Sequence, residues 1–179
     1  VTDQDNAIIL DETYQEEKHG KYFEALAKYV SDGLDACGYK YCTGDIMATN
    51  PLWRMTRSEW EECFADWIDN PNPKALLNAS IFFDLVGVYG RLKWAEQLTS
   101  FIVRRARKNN RFLACLARNA LNRTPPLGFF KDFVMEKDGR HNNSINLKRR
   151  GTAPLVDLIR VHSLAVGSRA QNSFERLDD

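Results

Sequence analysis

The apolar run Ala7-Ile8-Ile9-Leu10, entered through Thr2-Asp3-Gln4-Asp5-Asn6, constrains the fold of this chain more than any other segment. A short continuous apolar stretch with polar flanks reads as a buried strand. On extended backbone, residues two apart point to the same face, so Asp3 and Asp5 stand side by side at its edge. Two hard oxygen donors placed this way suit one or two divalent cations held against bound phosphate. Short Asp-x-Asp pairs also occur in turns and helix caps, and these residues alone leave both readings open.

Beyond the strand, Tyr22, Phe23, Leu26, Tyr29, Val30, Leu34 and Cys37 recur at three- and four-residue steps. The spacing predicts an amphipathic helix over 13–37 with this stripe facing the core, closed by Gly38. Residues 39–48 read as a second strand, and strand–helix–strand is the smallest α/β signature. Asp45 would then supply a third carboxylate opposite the first pair, or else follow Gly44 in a turn. Asn50-Pro51 marks a junction, because the residue before proline is pushed away from helix. From there the pattern turns helical. Thr56 with Glu59 three residues later is a capping-box signal for a helix over 56–68. Further helices are expected over about 74–88, 90–107 and 110–122, the last stopped by Pro125-Pro126. Residues 129–137 and 143–148 read as a β-hairpin around Lys137-Asp138-Gly139. A last full helix starts near Thr152-Ala153-Pro154, with Leu155, Leu158, Ile159 and His162 along one face, and Ser173 to Leu177 opens another.

The length suffices for one large domain or two small ones with real cores. No run approaches the length of a membrane span, and no secretory signal is read in these residues. Cys37, Cys42, Cys63 and Cys115 lack both Cys-x-x-Cys spacing and nearby histidines, which fits reduced, mostly buried thiols in a cytoplasmic protein. His19, His141 and His162 do not cluster, which argues against a histidine metal site or nucleophile. The chain starts inside a strand and without Met, so a piece of a longer protein is expected, cut at both ends.

A net charge of +1 conceals a division. Residues 1–70 hold 6 Lys/Arg against 15 Asp/Glu, and residues 71–179 hold 19 against 9. An acidic metal-binding half beside a basic half suits a phosphate-rich small ligand, although two solvated surfaces of opposite sign would look the same. No basic tract is interleaved with aromatics, so nucleic acid is not an expected partner.

Several separated segments, in order, resemble one family. Thr2-Asp3-Gln4-Asp5-Asn6-Ala7 and Gly44-Asp45-Ile46-Met47-Ala48-Thr49-Asn50-Pro51 are similar to bacterial nucleotidyltransferases fused to cyclic-nucleotide-binding and CBS signalling modules. Ala79-Ser80-Ile81-Phe82-Phe83-Asp84, Pro125-Pro126-Leu127-Gly128-Phe129-Phe130 and Ala153-Pro154-Leu155-Val156-Asp157-Leu158 resemble that family's substrate-binding domain. The family is related to the protein-PII uridylyltransferases of the DNA polymerase β-like superfamily.

The resemblance implies an α+β chain. Residues 1–50 would be part of the α/β catalytic domain, and residues 51–179 a mostly helical substrate-binding bundle with a small hairpin. It implies Asp3 and Asp5, with Asp45 as a third, as ligands of Mg²⁺ or Mn²⁺. The substrate would be a nucleoside triphosphate, and the acceptor an unknown protein or small molecule in a signalling chain; a homodimer stays open. Asp84, Lys148, Arg149 and Asp157 would contact base, phosphate or acceptor, or else serve as ion pairs and a solvated hairpin exit. The chain departs from the family at Val86, where an arginine is frequent, and the superfamily's Gly-Ser loop does not occur in these residues. The rival expectations are a nucleotide-binding sensor without chemistry and a helical scaffold that docks a partner through the basic half.

Overall fold

Ile8–Leu10 forms strand β1 in the computed structural model, which describes residues 3–121 and 151–179. The chain is mixed α+β and mostly helical, as expected, and divides into two compact units. One comprises Val1–Phe64 and Gly87–Leu98, the other Ala65–Val86 and Thr99–Asp179.

In the first unit, β1 pairs in parallel with β2 (Arg54–Thr56), Ile8 opposite Arg54 and Leu10 opposite Thr56. Parallel neighbours need a crossover, and helix α1 (Glu16–Ala36) provides it. Gly38, at φ 100°, ends α1: Tyr39 N–H donates to Leu34 O (3.0 Å) and Gly38 N–H to Asp35 O (3.0 Å). These two bonds make a Schellman cap, which favours glycine at the left-handed position.

The second strand expected over 39–48 does not form. Gln4 N–H donates to Lys40 O (2.9 Å) and Asn6 N–H to Ile46 O (3.1 Å), so the segment pairs at two points only. Between them Cys42–Asp45 turns, with Asp45 at φ 57°, and a residue in that conformation cannot continue a strand. Asp45 is therefore a turn residue. The ladder instead uses Arg54–Thr56, after a single 3₁₀ turn at Pro51–Trp53 capped by the Asn50 side chain.

The face of α1 is a second correction. Tyr22, Leu26, Tyr29 and Val30 are exposed, while Gly20, Ala27 and Ser31 are buried. The extended segment lies close, because Gln4 Nε2 reaches Ser31 O at 3.0 Å and Tyr39 O at 3.1 Å. Small residues permit that approach, whereas the tyrosines would block it. The core of this unit lies around Leu10, Trp53, Trp60 and Phe64; Trp60 stacks on Trp53 at 6.3 Å between ring centres and donates its indole N–H to Ile8 O at 3.1 Å.

The capping box is confirmed. Thr56 N–H donates to Glu59 Oε2 (2.7 Å) and Glu59 N–H to Thr56 Oγ1 (3.3 Å), at the start of α2 (Arg57–Asp69). Helices α3 (Pro73–Phe82), α4 (Leu92–Ala106) and α5 (Asn110–Leu121) follow, and α3 stops earlier than its apolar pattern suggests. The expected hairpin lies outside the described residues.

In the second unit α6 (Ala153–Val166) packs on α5 and on α7 (Ser173–Asp178). Its core includes Trp67, Ile68, Phe82, Phe112 and Leu116. Leu155 and Leu158, on the apolar face read from the sequence, are exposed along with His162, whereas Asp157, Arg160, Ser163 and Leu164 are buried. The four cysteines are free, with Cys37 exposed and the others half-buried, so they are less enclosed than expected. Among the described residues no helix is long and apolar enough to cross a membrane.

Candidate functional site

Alternation along the entry to β1 sets the candidate site. Asp3 bridges to Lys40 in parallel fashion, and Gln4 is buried at 5 % exposure. Asp3 and Asp5, on either side of it, are exposed. A strand sends alternate side chains to opposite faces, so burying Gln4 sends both carboxylates outward together. Gln4 is held on both sides: its amide donates to two carbonyls, and its Oε1 accepts from Asn6 Nδ2 at 2.9 Å. Asn6 Oδ1 in turn accepts from Ala48 N–H at 2.8 Å, tying the 42–49 loop to the Asp-bearing segment. The Cys42 thiol is pushed up by burial, with the hydrogen-bonded Asp5 carboxylate adding to the shift.

Asp45 has other partners. Its Oδ2 accepts from Asn50 Nδ2 at 2.9 Å, and its backbone oxygen accepts from the Trp53 indole at 2.8 Å. Among the described residues no group of three or more His, Cys, Asp or Glu side chains is gathered as a metal cage. The donor set on offer is thus Asp3 and Asp5. Two carboxylates fit magnesium, which is usually bound by one or two carboxylates plus substrate phosphates and keeps several waters.

The acidic residues of the helical span are joined by arginines. Asp84, just after α3, accepts from Arg160 Nε (3.2 Å) and Nη2 and from Arg176 Nη2 (2.7 Å). Asp157 Oδ1 accepts from Arg160 Nη1 at 2.8 Å. Burial alone would lower the Arg160 pKa; the hydrogen bond and charge of Asp84, then Asp157, leave it raised. The structure therefore brings Asp84 and Asp157 together through Arg160, with Arg176 of α7 closing the group. Neither arginine was expected from the sequence. The spacing of Asp157 and Arg160, one turn apart on α6, is the signal that could have found the first of them. Lys148 and Arg149 lie outside the described residues.

The fold and the paired carboxylates now meet the comparisons. Residues 1–74 match the family model described as "Putative nucleotidyltransferase DUF294", and residues 110–179 match the one described as "Putative nucleotidyltransferase substrate binding domain". These matches make the chain one of a nucleotidyltransferase-like kind, whose substrate is a nucleotide. The two matches cover separate parts of the chain, and neither spans half of it. No curated protein matches the chain, and no solved structure does.

Proposed function

We propose that Asp3 and Asp5 hold Mg²⁺ or Mn²⁺ for transfer of a nucleoside monophosphate from a nucleoside triphosphate to a protein or small-molecule acceptor in signalling, in the manner of the protein-PII uridylyltransferases. The observation that supports this reading is the exposure of both carboxylates on either side of the buried, doubly anchored Gln4, within the span that matches the nucleotidyltransferase model. When bound, the metal would supply charge neutralisation at the phosphates and a lowered pKa for the acceptor hydroxyl. The chain's own part is to keep two anionic ligands aligned without reorganisation, which the Gln4 and Asn6 bonds do. Asp45 would act as a third ligand only after giving up its bond to Asn50. In the helical span, Asp84 has 30 % of its side chain in solvent and can meet base or acceptor; Asp157, at 12 %, positions Arg160. Lys148 and Arg149 would supply phosphate contacts.

Isothermal titration with Mg²⁺ and each nucleoside triphosphate tests the reading. Metal-dependent nucleotide binding is expected, weakened at least about tenfold in Asp3→Asn and Asp5→Asn by loss of a charged ligand. Binding that ignores both substitutions overturns it.

The engagement of Asp45 by Asn50 favours a second reading, a nucleotide-binding sensor without turnover. Release of pyrophosphate in the presence of an acceptor rules that out.

A further inference from the structure

From Gln97 to Leu121 the chain carries six Lys/Arg and no Asp/Glu. Five of these cations, Arg104, Arg105, Arg107, Lys108 and Arg111, fall within eight consecutive residues, where α4 ends, turns and re-enters as α5. The corner is rigid. Asn109 Nδ2 donates to Ile68 O at 3.0 Å, while Asn109 Oδ1 accepts from Phe112 N–H at 2.9 Å and caps α5. Beneath it Ile102, Val103, Ala106 and Phe112 are buried. Arg105 alone is neutralised, by Asp69, which holds its pKa up. Arg104, Arg107, Lys108 and Arg111 are exposed and form no ion pair with any described residue.

Like charges crowded on one turn repel, and the helix dipole makes the placement of Arg111 worse. It sits in the first turn of α5, where a cation is disfavoured. The carbonyl end of α4 favours Arg104 and Arg105, but among the described residues no carboxylate pairs with Arg104, Arg107, Lys108 or Arg111, so an outside anion is the natural complement. We infer that the α4–α5 corner is a docking surface for a carboxylate-rich segment of a protein acceptor. The inference rests on the transferase reading for the word acceptor, though the binding itself does not.

Two observations select a protein among anionic partners. Four exposed cations over a corner span more than one phosphate group, which points to an extended partner. The aromatic rings at this corner are not free for bases: Phe112 is buried, and Phe101 is half-buried with the Arg105 guanidinium 5.9 Å from its ring centre. Stacking platforms characterise single-stranded nucleic-acid grooves, and none is exposed here. Arginine forks match carboxylates in bidentate fashion, as they do phosphates, so it is the lack of an exposed ring here that favours a protein over single-stranded nucleic acid.

A fluorescein-labelled oligo-glutamate peptide, followed by anisotropy against the whole chain, tests this without metal or nucleotide. Its failure is thus read separately from failure of the transferase reading. Binding is expected, weaker by about tenfold when NaCl rises from about 50 to about 300 mM, because exposed charges are screened. The R104E/K108E/R111E variant should lose at least about tenfold in affinity with its circular dichroism unchanged. The milder R104Q/K108Q/R111Q variant should fall between the two and covers the case in which the reversal unfolds the chain. No peptide binding, equal binding by all variants, or tighter binding of a short DNA duplex than of the peptide would overturn the assignment.

Discussion

Gln4 matters because of what lies on either side of it. A glutamine with 5 % exposure is an uncommon core residue by polarity, yet its amide is satisfied by Ser31 O, Tyr39 O and the Asn6 side chain. Buried polar groups in such a network specify one backbone position, and here that position aims Asp3 and Asp5 outward. The sequence showed the carboxylate pair; it did not show the anchor between them, because no periodic pattern marks a side chain that reaches 27 residues onward. Asp84 repeats this lesson in the second unit. It entered only through the resemblance of Ala79–Asp84 to a substrate-binding domain, and its link to Arg160 and Arg176 spans 76 and 92 residues of chain. Asp84→Asn leaves two buried guanidinium groups with half their compensation. A loss of about 2 to 4 kcal/mol is expected, below the figure for a fully enclosed pair since Asp84 is partly solvated. Denaturant unfolding measures it, and an unchanged midpoint would show that the group contributes nothing to stability.

At the scale of elements, local chemistry was readable and orientation was not. The Thr56/Glu59 box, Gly38 at the end of α1 and the starts of α4, α5 and α6 were all visible, because caps and breakers act over three or four residues. Two helices nevertheless face the other way. Periodicity groups Tyr22, Leu26, Tyr29 and Val30 on one side of α1, but it cannot say which side is covered, and the buried residues are Gly20, Ala27 and Ser31. On α6 the Asp157–Arg160 pair claims the inside and turns Leu155 and Leu158 out. The orientation of α1 makes a sharp contrast between substitutions. Ala27→Leu should overpack the contact and cost about 1 to 3 kcal/mol. Tyr29→Ser, 79 % exposed, should stay within about 0.5 kcal/mol. Comparable losses in thermal melts of the two variants would contradict the observed face.

For the whole molecule, stability should depend little on pH near neutrality and fall at both extremes. Asp11, Glu12, Asp32 and Asp69 have pKa values lowered by hydrogen bonds from Thr13, Ser58, Lys28 and Arg105 respectively. Folded values below the ordinary carboxylate range mean that their contribution is complete above that range and is lost as acid passes the folded values. Tyr41 behaves in the opposite sense. Its hydroxyl donates to Asp32, and that bond pushes its pKa up to about 12. The folded chain thus gains from the neutral phenol below pH 10 and loses that gain as pH climbs towards 12. Calorimetry across pH should give a flat melting temperature between about 5 and 9, with a fall below about 4. Asp32→Asn should lower the Tyr41 transition, followed by tyrosinate absorbance; a transition that the substitution leaves in place would refute the pairing.

The amino-acid order settled what depends on near neighbours: the mixed α+β class, the capping box of α2, the glycine stop of α1, the acidic pair at the edge of β1 and the opposite charges of the two halves. The three-dimensional arrangement alone decided that β2 lies at Arg54–Thr56, that Asp45 turns away to Asn50, and that arginines from α6 and α7 meet Asp84. The reason is range. Caps, turns and strand alternation are enforced by sterics and hydrogen bonds within a few residues, while burial is conferred by whatever packs from elsewhere in the chain.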